Sequence, residues 1–506
     1  MQTNVLDYLE HTVKRVPDKV AYANESDELT FRQVHDYARA IGTAVAHQGL
    51  MREPVVVYMQ KHPKAIAAFF GVVYSGNFYV PIDEEMPKYR VELIFETLQP
   101  KYIIVDEVTI KHIETLDYQG EVRLFDDLID TKIDENILAE RYDSQLDIDP
   151  LYIVFTSGST GIPKGVVACH RSVIDYIENL SQVLQVSEDT IFGNQAPLYF
   201  DACLKELYPT IKYGATAYLI PKQHFMFPIK LIEFLNEKKI NTICWVASAL
   251  SLVSGFRTFD TVIPKYLKTV AFGSEVFPIK QYKEWKRVLP DARFINLYGP
   301  TEATGMSCYY EVNKEFTLDE VIPIGKPFHN TGILLLKEDN TEAKGDEIGE
   351  ICIRGTAVTL GYYHNPEKTA EAFVQNPLNT AYPETIYRTG DLAKYDDEGN
   401  LIFVSRKDHQ IKHMGHRIEL GEIELNINMI EGVTHACCIY DQASEKIVNY
   451  YVGDVAPRNI KKALKEKLPR YMIPNVVRQL EEMPMTPNGK IDRKALAASY
   501  KENRRK

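Results

Sequence analysis

The sequence predicts an α/β fold: a large N-terminal domain of layered α/β sheets plus a β-barrel-like subdomain, followed by a small α+β C-terminal domain. In the first half, short β-rich runs such as Val55–Tyr58 and Tyr102–Val105 alternate with helical patterns, which indicates largely parallel strands. From about 333 to 404, Gly- and Asp-rich turns separate short strands, a pattern typical of antiparallel β structure. The length of 506 residues exceeds what a single core fills, so at least two domains are expected.

We predict the domain boundary between residues 407 and 408, giving domains 1–407 and 408–506. In the first domain, the apolar run Ala65–Tyr74 is too short to cross a bilayer and is predicted to be a buried helix. The second domain has about a hundred residues, a common domain size. Its predicted elements are a helix near Gly421–Ile430, strands near Cys437–Tyr440 and Ile447–Val452, and a basic amphipathic helix over Ile460–Lys467. The charged end, Lys501–Lys506, is expected to fray.

Charge and cysteine content exclude several classes of protein. The 58 Lys and Arg against 70 Asp and Glu give a net charge of −12, which argues against general binding to nucleic acid or anionic membranes. The seven cysteines contain no CxxC pair, so neither a zinc site nor a disulfide framework is indicated. The N-terminus lacks the pattern of a secretory signal. We therefore expect a cytoplasmic protein with no membrane insertion.

The most informative segment is Tyr152–Gly165, a β-type apolar run that opens into a loop rich in hydroxyls and glycine. Such a loop can hold a polyphosphate, because glycines let successive N–H groups converge on an anion while hydroxyls and a lysine add donors. Pro163 and Gly165 flank Lys164, so the segment does not match the Walker A pattern. The phosphate-binding candidates are Thr156, Ser157, Gly158, Ser159, Thr160, Gly161 and Lys164.

Four further motifs follow in order: Asn296–Glu302, Tyr387–Leu392, Arg406–Lys412 and Pro487–Arg493. Together with the glycine-rich loop, they resemble the core motifs of the adenylate-forming superfamily, which contains acyl- and aryl-CoA synthetases, luciferases and the adenylation domains of nonribosomal peptide synthetases. The amino-acid-activating branch fits best. The resemblance extends from Leu29 to Leu496.

The resemblance implies two half-reactions that share one site. A carboxylate attacks the α-phosphate of ATP and pyrophosphate leaves; a thiol then attacks the resulting adenylate. The glycine-rich loop would hold the leaving phosphates, Glu302 would ligate Mg²⁺ and Thr301 would contact the α-phosphate. Tyr298 would offer its ring to adenine. Asn296 and Gly299 belong to the same nucleotide-binding motif.

The later motifs imply the remaining roles. Asp391 would accept both ribose hydroxyls, and Arg406 would lie near the same ribose. Lys490, the predicted catalytic lysine, would bridge the substrate carboxylate and the adenylate phosphate as a point cation. Asp408 matches the hinge about which the C-terminal domain, a mobile lid, rotates between two poses.

The resemblance also implies a pocket for the substrate. Asp201 falls where amino-acid-activating members carry an Asp that pairs with the α-ammonium, a group that fatty and aryl acids lack. The other candidate pocket positions are Ala202, Lys205, Cys244, Ala271, Gly273, Leu297, Gly305 and Met306, together with Lys490. An inward-pointing Lys205 would favour an acidic side chain; a Lys205 that reaches solvent would leave a pocket for a modest aliphatic or aromatic one.

These residues predict an enzyme that activates an amino acid with ATP and Mg²⁺ and transfers it to the phosphopantetheine thiol of a separate carrier protein. In size the chain is similar to D-alanine carrier-protein ligases and other free-standing adenylation enzymes, so a free-standing activator is expected. An acyl- or aryl-CoA synthetase is the first alternative. A non-catalytic binding or regulatory protein is the second.

Overall fold

The computed structural model describes residues 2–158, 161–407, 410–485 and 491–505, with side chains up to residue 501. Its described residues divide into two compact units. The first unit spans 1–84, 98–154 and 165–407; the second groups 85–97 and 155–164 with the C-terminal residues from 408 onward. Four predicted site residues, Ser159, Thr160, Asp408 and Lys490, lie outside the described residues. The two-domain division at 407/408 stays a prediction.

Helices and strands alternate along the first half of the chain, as the sequence pattern predicts. Numbered in chain order, the helices are α1 (Leu6–Arg15), α2 (Phe31–Ala46), α3 (Pro63–Tyr74), α4 (Lys88–Leu98), α5 (Ile110–Ile113), α6 (Phe125–Leu128), α7 (Glu135–Ser144), α8 (His170–Leu184), α9 (Leu204–Tyr213), α10 (Pro228–Glu237), α11 (Ala247–Gly255), α12 (Ile279–Val288), α13 (Pro366–Ala372), α14 (Leu420–Asn428), α15 (Pro457–Lys467) and α16 (Arg493–Arg505).

The strands are short, and many are buried along their whole length. They are β1 (Val20–Ala23), β2 (Glu28–Thr30), β3 (Pro54–Tyr58), β4 (Phe78–Ile82), β5 (Tyr102–Val105), β6 (Glu121–Leu124), β7 (Pro150–Thr156), β8 (Lys164–Cys169), β9 (Ile191–Asn194), β10 (Thr216–Leu219), β11 (Thr242–Val246), β12 (Thr269–Gly273), β13 (Arg293–Tyr298), β14 (Cys308–Glu311), β15 (Lys326–Pro327), β16 (Thr331–Leu336), β17 (Gly349–Gly355), β18 (Phe373–Gln375), β19 (Thr385–Tyr395), β20 (Leu401–Arg406), β21 (Gln410–His413), β22 (His416–Glu419), β23 (Val433–Asp441), β24 (Lys446–Gly453) and β25 (Val476–Gln479).

Two mainly parallel sheets form the body of the first unit. The larger has nine strands in the order β15-β14-β13-β12-β11-β9-β10-β1-β2, with antiparallel pairs only at its ends. The smaller has six, in the order β6-β5-β3-β4-β7-β8, and its pairs from β6 to β7 are parallel. Parallel strands need helical crossovers that cover both faces, which explains their almost wholly apolar sequences.

The nine-stranded sheet has a different core on each face. Along β11, Ile243 and Trp245 pack with α10, α11 and α12, whereas Cys244 between them belongs to the core that contains α2, α3, α8 and α9. On β12, Val270 likewise packs in the core with Ile243 and Trp245, and Ala271 packs in the core with Cys244. This alternation is the two-residue period of a strand. The face of Cys244 and Ala271 is the one on which the candidate pocket lies.

A third sheet of the first unit is antiparallel, with five strands in which β16, β17, β19 and β18 follow one another and β20 also pairs with β19. It corresponds to the turn-rich region predicted between 333 and 404. In the second unit, β21 and β22 form a hairpin, and β23, β24 and β25 form a sheet packed with α14 and α15. The predicted mixed α/β fold class is confirmed.

The predicted buried helix over Ala65–Tyr74 is confirmed as α3. The expected fraying of Lys501–Lys506 stays a prediction; the described helix α16 ends at Arg505. Leu496 and Tyr500, one turn apart on this helix, are both buried in an apolar cluster of the second unit and anchor it. None of the described helices combines the length and the apolarity that a membrane crossing requires.

Candidate active site

The candidate substrate pocket lies at the carboxyl ends of three neighbouring parallel strands, β11, β12 and β13. Cys244 is in register with Ala271, and Gly273 with Leu297. Cys244, Ala271, Leu297 and Met306 belong to one core cluster, and Ala202 packs against it. The carboxyl edge of a parallel sheet is where ligands usually bind in α/β proteins. The structure therefore brings together most of the predicted pocket positions, within the first unit.

Asp201 begins a 3₁₀ turn, Asp201–Cys203, that leads into α9. Burial raises the pKa of its carboxyl group, while the positive charge of Lys205 and the hydroxyl of Thr301 act against that rise. Gly305 adopts a φ of 93°, and a side chain there would approach the Asp201 carboxylate and the Tyr176 ring. Glycine at this position thus keeps the space beside Asp201 open.

Lys205 is 3% exposed and faces the same interior as Asp201. Among the described residues, the Lys205 ammonium has no ion-pair partner and no hydrogen-bond acceptor. Its neighbour Glu206 is fully buried and accepts a hydrogen bond from the Asn194 side-chain amide at 3.1 Å. The hydroxyls of Tyr152 and Tyr176, also buried in this region, have no hydrogen-bond partner among the residues that the structure describes. The interior beside Asp201 therefore carries several polar groups that a ligand could satisfy.

Glu302, the predicted metal ligand, lies in the 3₁₀ turn Thr301–Ala303 directly after β13. It is fully buried, and the Tyr362 hydroxyl donates to its Oε1 at 2.7 Å. No cluster of three potential protein ligands for a metal occurs in the described part of the chain. This donor set suits Mg²⁺, which is commonly bound by one or two carboxylates together with substrate phosphates. Glu302 would hold the ion, which would neutralise phosphate charge.

Two predicted nucleotide-binding residues from separate strands, Tyr298 and Arg406, both donate hydrogen bonds to a third, Asp391. The Tyr298 hydroxyl at the end of β13 donates to Asp391 Oδ2 at 2.6 Å, and the Arg406 guanidinium on β20 donates to Oδ1 at 2.5 Å. Arg406 also bonds the carbonyl oxygen of Thr389 at 3.1 Å. Asp391 and Arg406 are direct register partners on β19 and β20. Each carboxylate oxygen keeps a further lone pair, so acceptance of ribose hydroxyls stays compatible with these bonds.

Tyr298 is buried in the core cluster between β13 and the antiparallel sheet. The next two residues, Gly299 and Pro300, are half-buried. Gly299 is required by packing, since a Cβ there would overlap the carbonyl oxygen of Gly305. The Asn296 amide donates to the carbonyl oxygen of Pro323 at 2.7 Å, which ties β13 to the following loop. Adenine contact by Tyr298 stays a prediction.

The described part of the glycine-rich loop falls within the second unit. Its Gly161 has a φ of 81°, and its N–H donates to the carbonyl oxygen of Gly158 at 3.0 Å, closing a turn. A Cβ on Gly158 would overlap the carbonyl oxygen of Ile162. Both glycines are therefore needed for the loop to bend as the sequence predicts. The Ser157 hydroxyl donates to the carbonyl oxygen of Arg417, and Lys164 begins β8. Within the described ranges, the Thr156 hydroxyl has no hydrogen-bond partner.

Sequence analysis missed three residues of the first unit that contact predicted site residues. Tyr362 bonds Glu302, Thr389 bonds Arg406 through its carbonyl, and Tyr176 borders Gly305. A weak sequence signal pointed to Tyr362 and Thr389 as site residues, because both lie next to glycine in turn-like sequences. Tyr176 had none, since it lies within the ordinary apolar pattern of α8.

A comparison with family models matches residues 9–363 to the AMP-binding enzyme family. The chain is 32% identical over 493 residues to Tyrocidine synthase 1 of Brevibacillus parabrevis, covering 96% of this chain and 44% of that protein. It is 30% identical over 503 residues to Surfactin synthase subunit 1 of Bacillus subtilis (strain 168), covering 97% of this chain and 14% of that protein. The chain thus spans less than half the length of these curated relatives.

Solved structures show the same fold. An artificially fused adenylation-PCP di-domain, NpsA-ThdA from Klebsiella oxytoca, superposes with a TM-score of 0.82 at 22% identity, covering 94% of this chain and 93% of that one. The Vibrio cholerae adenylation domain AlmE, in complex with glycyl-adenosine-5'-phosphate, gives 0.85 at 20% identity, covering 99% and 98%. From the family match over most of its length, the chain belongs to the AMP-binding enzymes, the adenylate-forming ligases that its motifs indicate.

Proposed function

We propose that the chain activates the carboxylate of an amino acid with ATP and transfers the aminoacyl group to the phosphopantetheine thiol of a carrier protein. In the first step a carboxylate oxygen bonds to the α-phosphorus, the bond to the β-phosphate breaks, and pyrophosphate leaves. In the second step the thiol sulfur bonds to the acyl carbon, AMP leaves, and the thiol proton passes to solvent.

The Asp201 carboxylate carries the amino-acid part of the proposal. It borders the space that Gly305 leaves open, on the sheet face that Cys244, Ala271 and Leu297 line. A carboxylate in such a setting gains from an ammonium partner, because an unpaired buried charge is costly. Burial raises the pKa of Asp201 even though the charge of Lys205 opposes the rise, so this carboxylate bears a desolvation cost that an ion-pair partner would offset. A fatty or aryl acid offers no cation, whereas every free amino acid does.

The remaining predicted residues supply the chemistry around this anchor. The glycine-rich loop and Lys164 would bind the leaving phosphates, and Thr301 would contact the α-phosphate. Glu302 would hold Mg²⁺. Asp391, held by Tyr298 and Arg406, would bind the ribose. Lys490 would stabilise charge between carboxylate and phosphate, and Asp408 would serve as the hinge. We further propose that the enzyme works in the cytoplasm.

Transfer to a carrier protein is supported by the kinds of protein to which the chain is similar. The curated relatives include Tyrocidine synthase 1 and Surfactin synthase subunit 1, and two solved NRPS structures of the same fold, NpsA-ThdA and PA1221, contain adenylation and PCP domains. A third neighbour in fold is an o-succinylbenzoate CoA synthetase at 18% identity, so coenzyme A is the alternative acceptor. Both acceptors carry a pantetheine thiol, and only coenzyme A carries a nucleotide as well.

The test is amino-acid-dependent ATP–pyrophosphate exchange by the wild type and by Asp201→Asn. This change keeps size but removes the charge, so exchange with amino acids should fall by about 100-fold or more. Asp189→Asn changes an exposed Asp in the segment just before β9; it is the matched control and should behave as wild type. Unchanged exchange in Asp201→Asn would overturn the amino-acid assignment. Transfer should then be faster to a holo carrier protein than to coenzyme A; the reverse would favour the CoA synthetase.

A further inference from the structure

The pocket holds a second charged group that the proposed chemistry does not use, the Lys205 ammonium. Lys205 is 97% buried, and no described carboxylate forms an ion pair with it. A lysine that is this buried is rarely left without a partner, because removing an ammonium from water is costly. Either the protein or a ligand must supply the missing anion.

No carboxylate in the described part of the chain supplies it. Asp201 stands four residues before Lys205, a spacing that places two side chains on one helical face and often allows an ion pair. Here the two are near enough to influence each other but form no ion pair. Glu206 points instead to the Asn194 amide. Neither Asp201 nor Lys205 forms an ion pair with the other, so both side chains are available to a third molecule.

We propose that the substrate is an amino acid with a carboxylate side chain, whose α-ammonium pairs with Asp201 and whose distal carboxylate pairs with Lys205. The proposal rests on the proposed amino-acid activation at this site. A dicarboxylic amino acid has an ammonium and a distal carboxylate a few bonds apart, which matches two opposite charges about one helical turn apart, roughly 5 Å.

The polar surroundings of Lys205 favour this substrate over an apolar one. The Tyr152 and Tyr176 hydroxyls are buried, lack partners in the described structure and lie close enough to Asp201 to feel its charge. Cys244 lies near both Lys205 and Glu206. An apolar side chain would leave the ammonium and these hydroxyls unsatisfied, whereas a carboxylate can accept several hydrogen bonds at once.

The test compares acids of equal size that differ in charge. ATP–pyrophosphate exchange is measured for glutamate against glutamine, aspartate against asparagine, and for leucine, phenylalanine, both enantiomers of alanine, and glutarate. The wild type should show a kcat/KM at least about 100-fold higher for one dicarboxylic amino acid than for its amide. Lys205→Met keeps the aliphatic stem and should remove that preference, whereas Lys205→Arg should retain it.

Lys212→Met is the matched control, because Lys212 lies on the same helix but is half-exposed and pairs with Glu178. It should keep the wild-type preference. The melting temperature of each variant separates loss of specificity from loss of fold. This inference is overturned if the wild type prefers an uncharged amino acid and Lys205→Met shows the same preference. The proposed function would then stay intact. The proposed function itself is overturned if exchange is as fast with glutarate as with glutamate. It is also overturned if exchange occurs only with acids that lack an amine.

Discussion

At the scale of single residues, the candidate pocket is backed by two ionisable groups that the proposed chemistry does not need, the buried Glu206 and the half-buried Lys61. Burial raises the pKa of Glu206 to about 7, against the opposing effects of Lys205, Asn194 and Lys61. Burial also lowers the pKa of Lys61 to about 7. The Lys61 ammonium donates to the carbonyl oxygens of Asn194, Gln195 and Ile220, at 3.1 to 3.2 Å. It joins the carboxyl ends of β9 and β10.

Glu206 gives a pH dependence of stability with a definite sign. Its pKa is raised in the folded state, so the native protein holds this proton more tightly than the unfolded chain does. The stabilisation is fully present below the ordinary pKa of 4.5 and is lost as pH rises through about 7. Glu206→Gln cannot lose a proton. The stability of wild type relative to Glu206→Gln should therefore fall by about 3 kcal/mol between pH 4.5 and 7.5.

The measurement is chemical denaturation of both proteins across that pH range. Glu233→Gln, which changes an exposed residue of α10, is the control and should show no such trend relative to wild type. A difference between wild type and Glu206→Gln that stays constant with pH would mean that Glu206 titrates as it does in the unfolded chain.

Single residues also mark the limit of prediction from sequence. The motifs identify Tyr298, Asp391 and Arg406 as nucleotide-binding candidates. They do not indicate that Tyr298 and Arg406 both form hydrogen bonds with Asp391. The first contact joins β13 to β19 across 93 residues of sequence, and the second joins β20 to β19 across 15. Sequence spacing carries no information about such pairing until the sheets are formed. The missing partner of Lys205 could likewise be recognised only from the fold.

At the scale of elements, α4 and α14 of the second unit are joined by a buried ion pair. The Arg90 guanidinium donates to Glu422 Oε1 at 2.5 Å, and both side chains are at most 4% exposed. Burial raises the pKa of Glu422, while Arg90 and the backbone of Gly158 act against the rise. Neither residue belongs to a predicted site. Such a pair contributes mainly through the penalty that follows when one partner is lost.

A double-mutant cycle tests this junction. Arg90→Met or Glu422→Gln alone should lower the free energy of unfolding by about 3 kcal/mol, because each leaves one group buried without its partner. The double variant should lose clearly less than the sum of the two. The exposed pair Arg287 and Glu284 on α12 is the control, for which a coupling of about 0.5 kcal/mol or less is expected. Additive losses at Arg90 and Glu422 would refute the coupling.

The apolar run Ala65–Tyr74 was predicted correctly as a buried helix. The alternation of Ile243, Cys244 and Trp245 between two cores was not predicted, although strand geometry accounts for it. At the C-terminal end, the charged composition conceals the helix α16, which the buried residues Leu496 and Tyr500 anchor. Local charge density says little about a terminal helix when tertiary packing of one face supplies its stability.

At the scale of the whole molecule, five motifs spread over more than 300 residues share one order and one chemistry. The fold and the family follow from that order, and both are confirmed. The substrate does not follow, because it depends on a pocket to which an α9 residue, three strand ends and the loop after β13 each contribute. Activation of an amino acid, rather than of a simple carboxylic acid, is the claim on which the proposed function depends.

ATP–pyrophosphate exchange by the wild-type protein tests that claim most directly. Each proteinogenic amino acid and both enantiomers of alanine are assayed beside the matching acid without the amine. We predict exchange with at least one amino acid, and at least about 100-fold less with its counterpart lacking the amine. Equal exchange with that counterpart, or exchange with simple fatty acids only, would contradict the account.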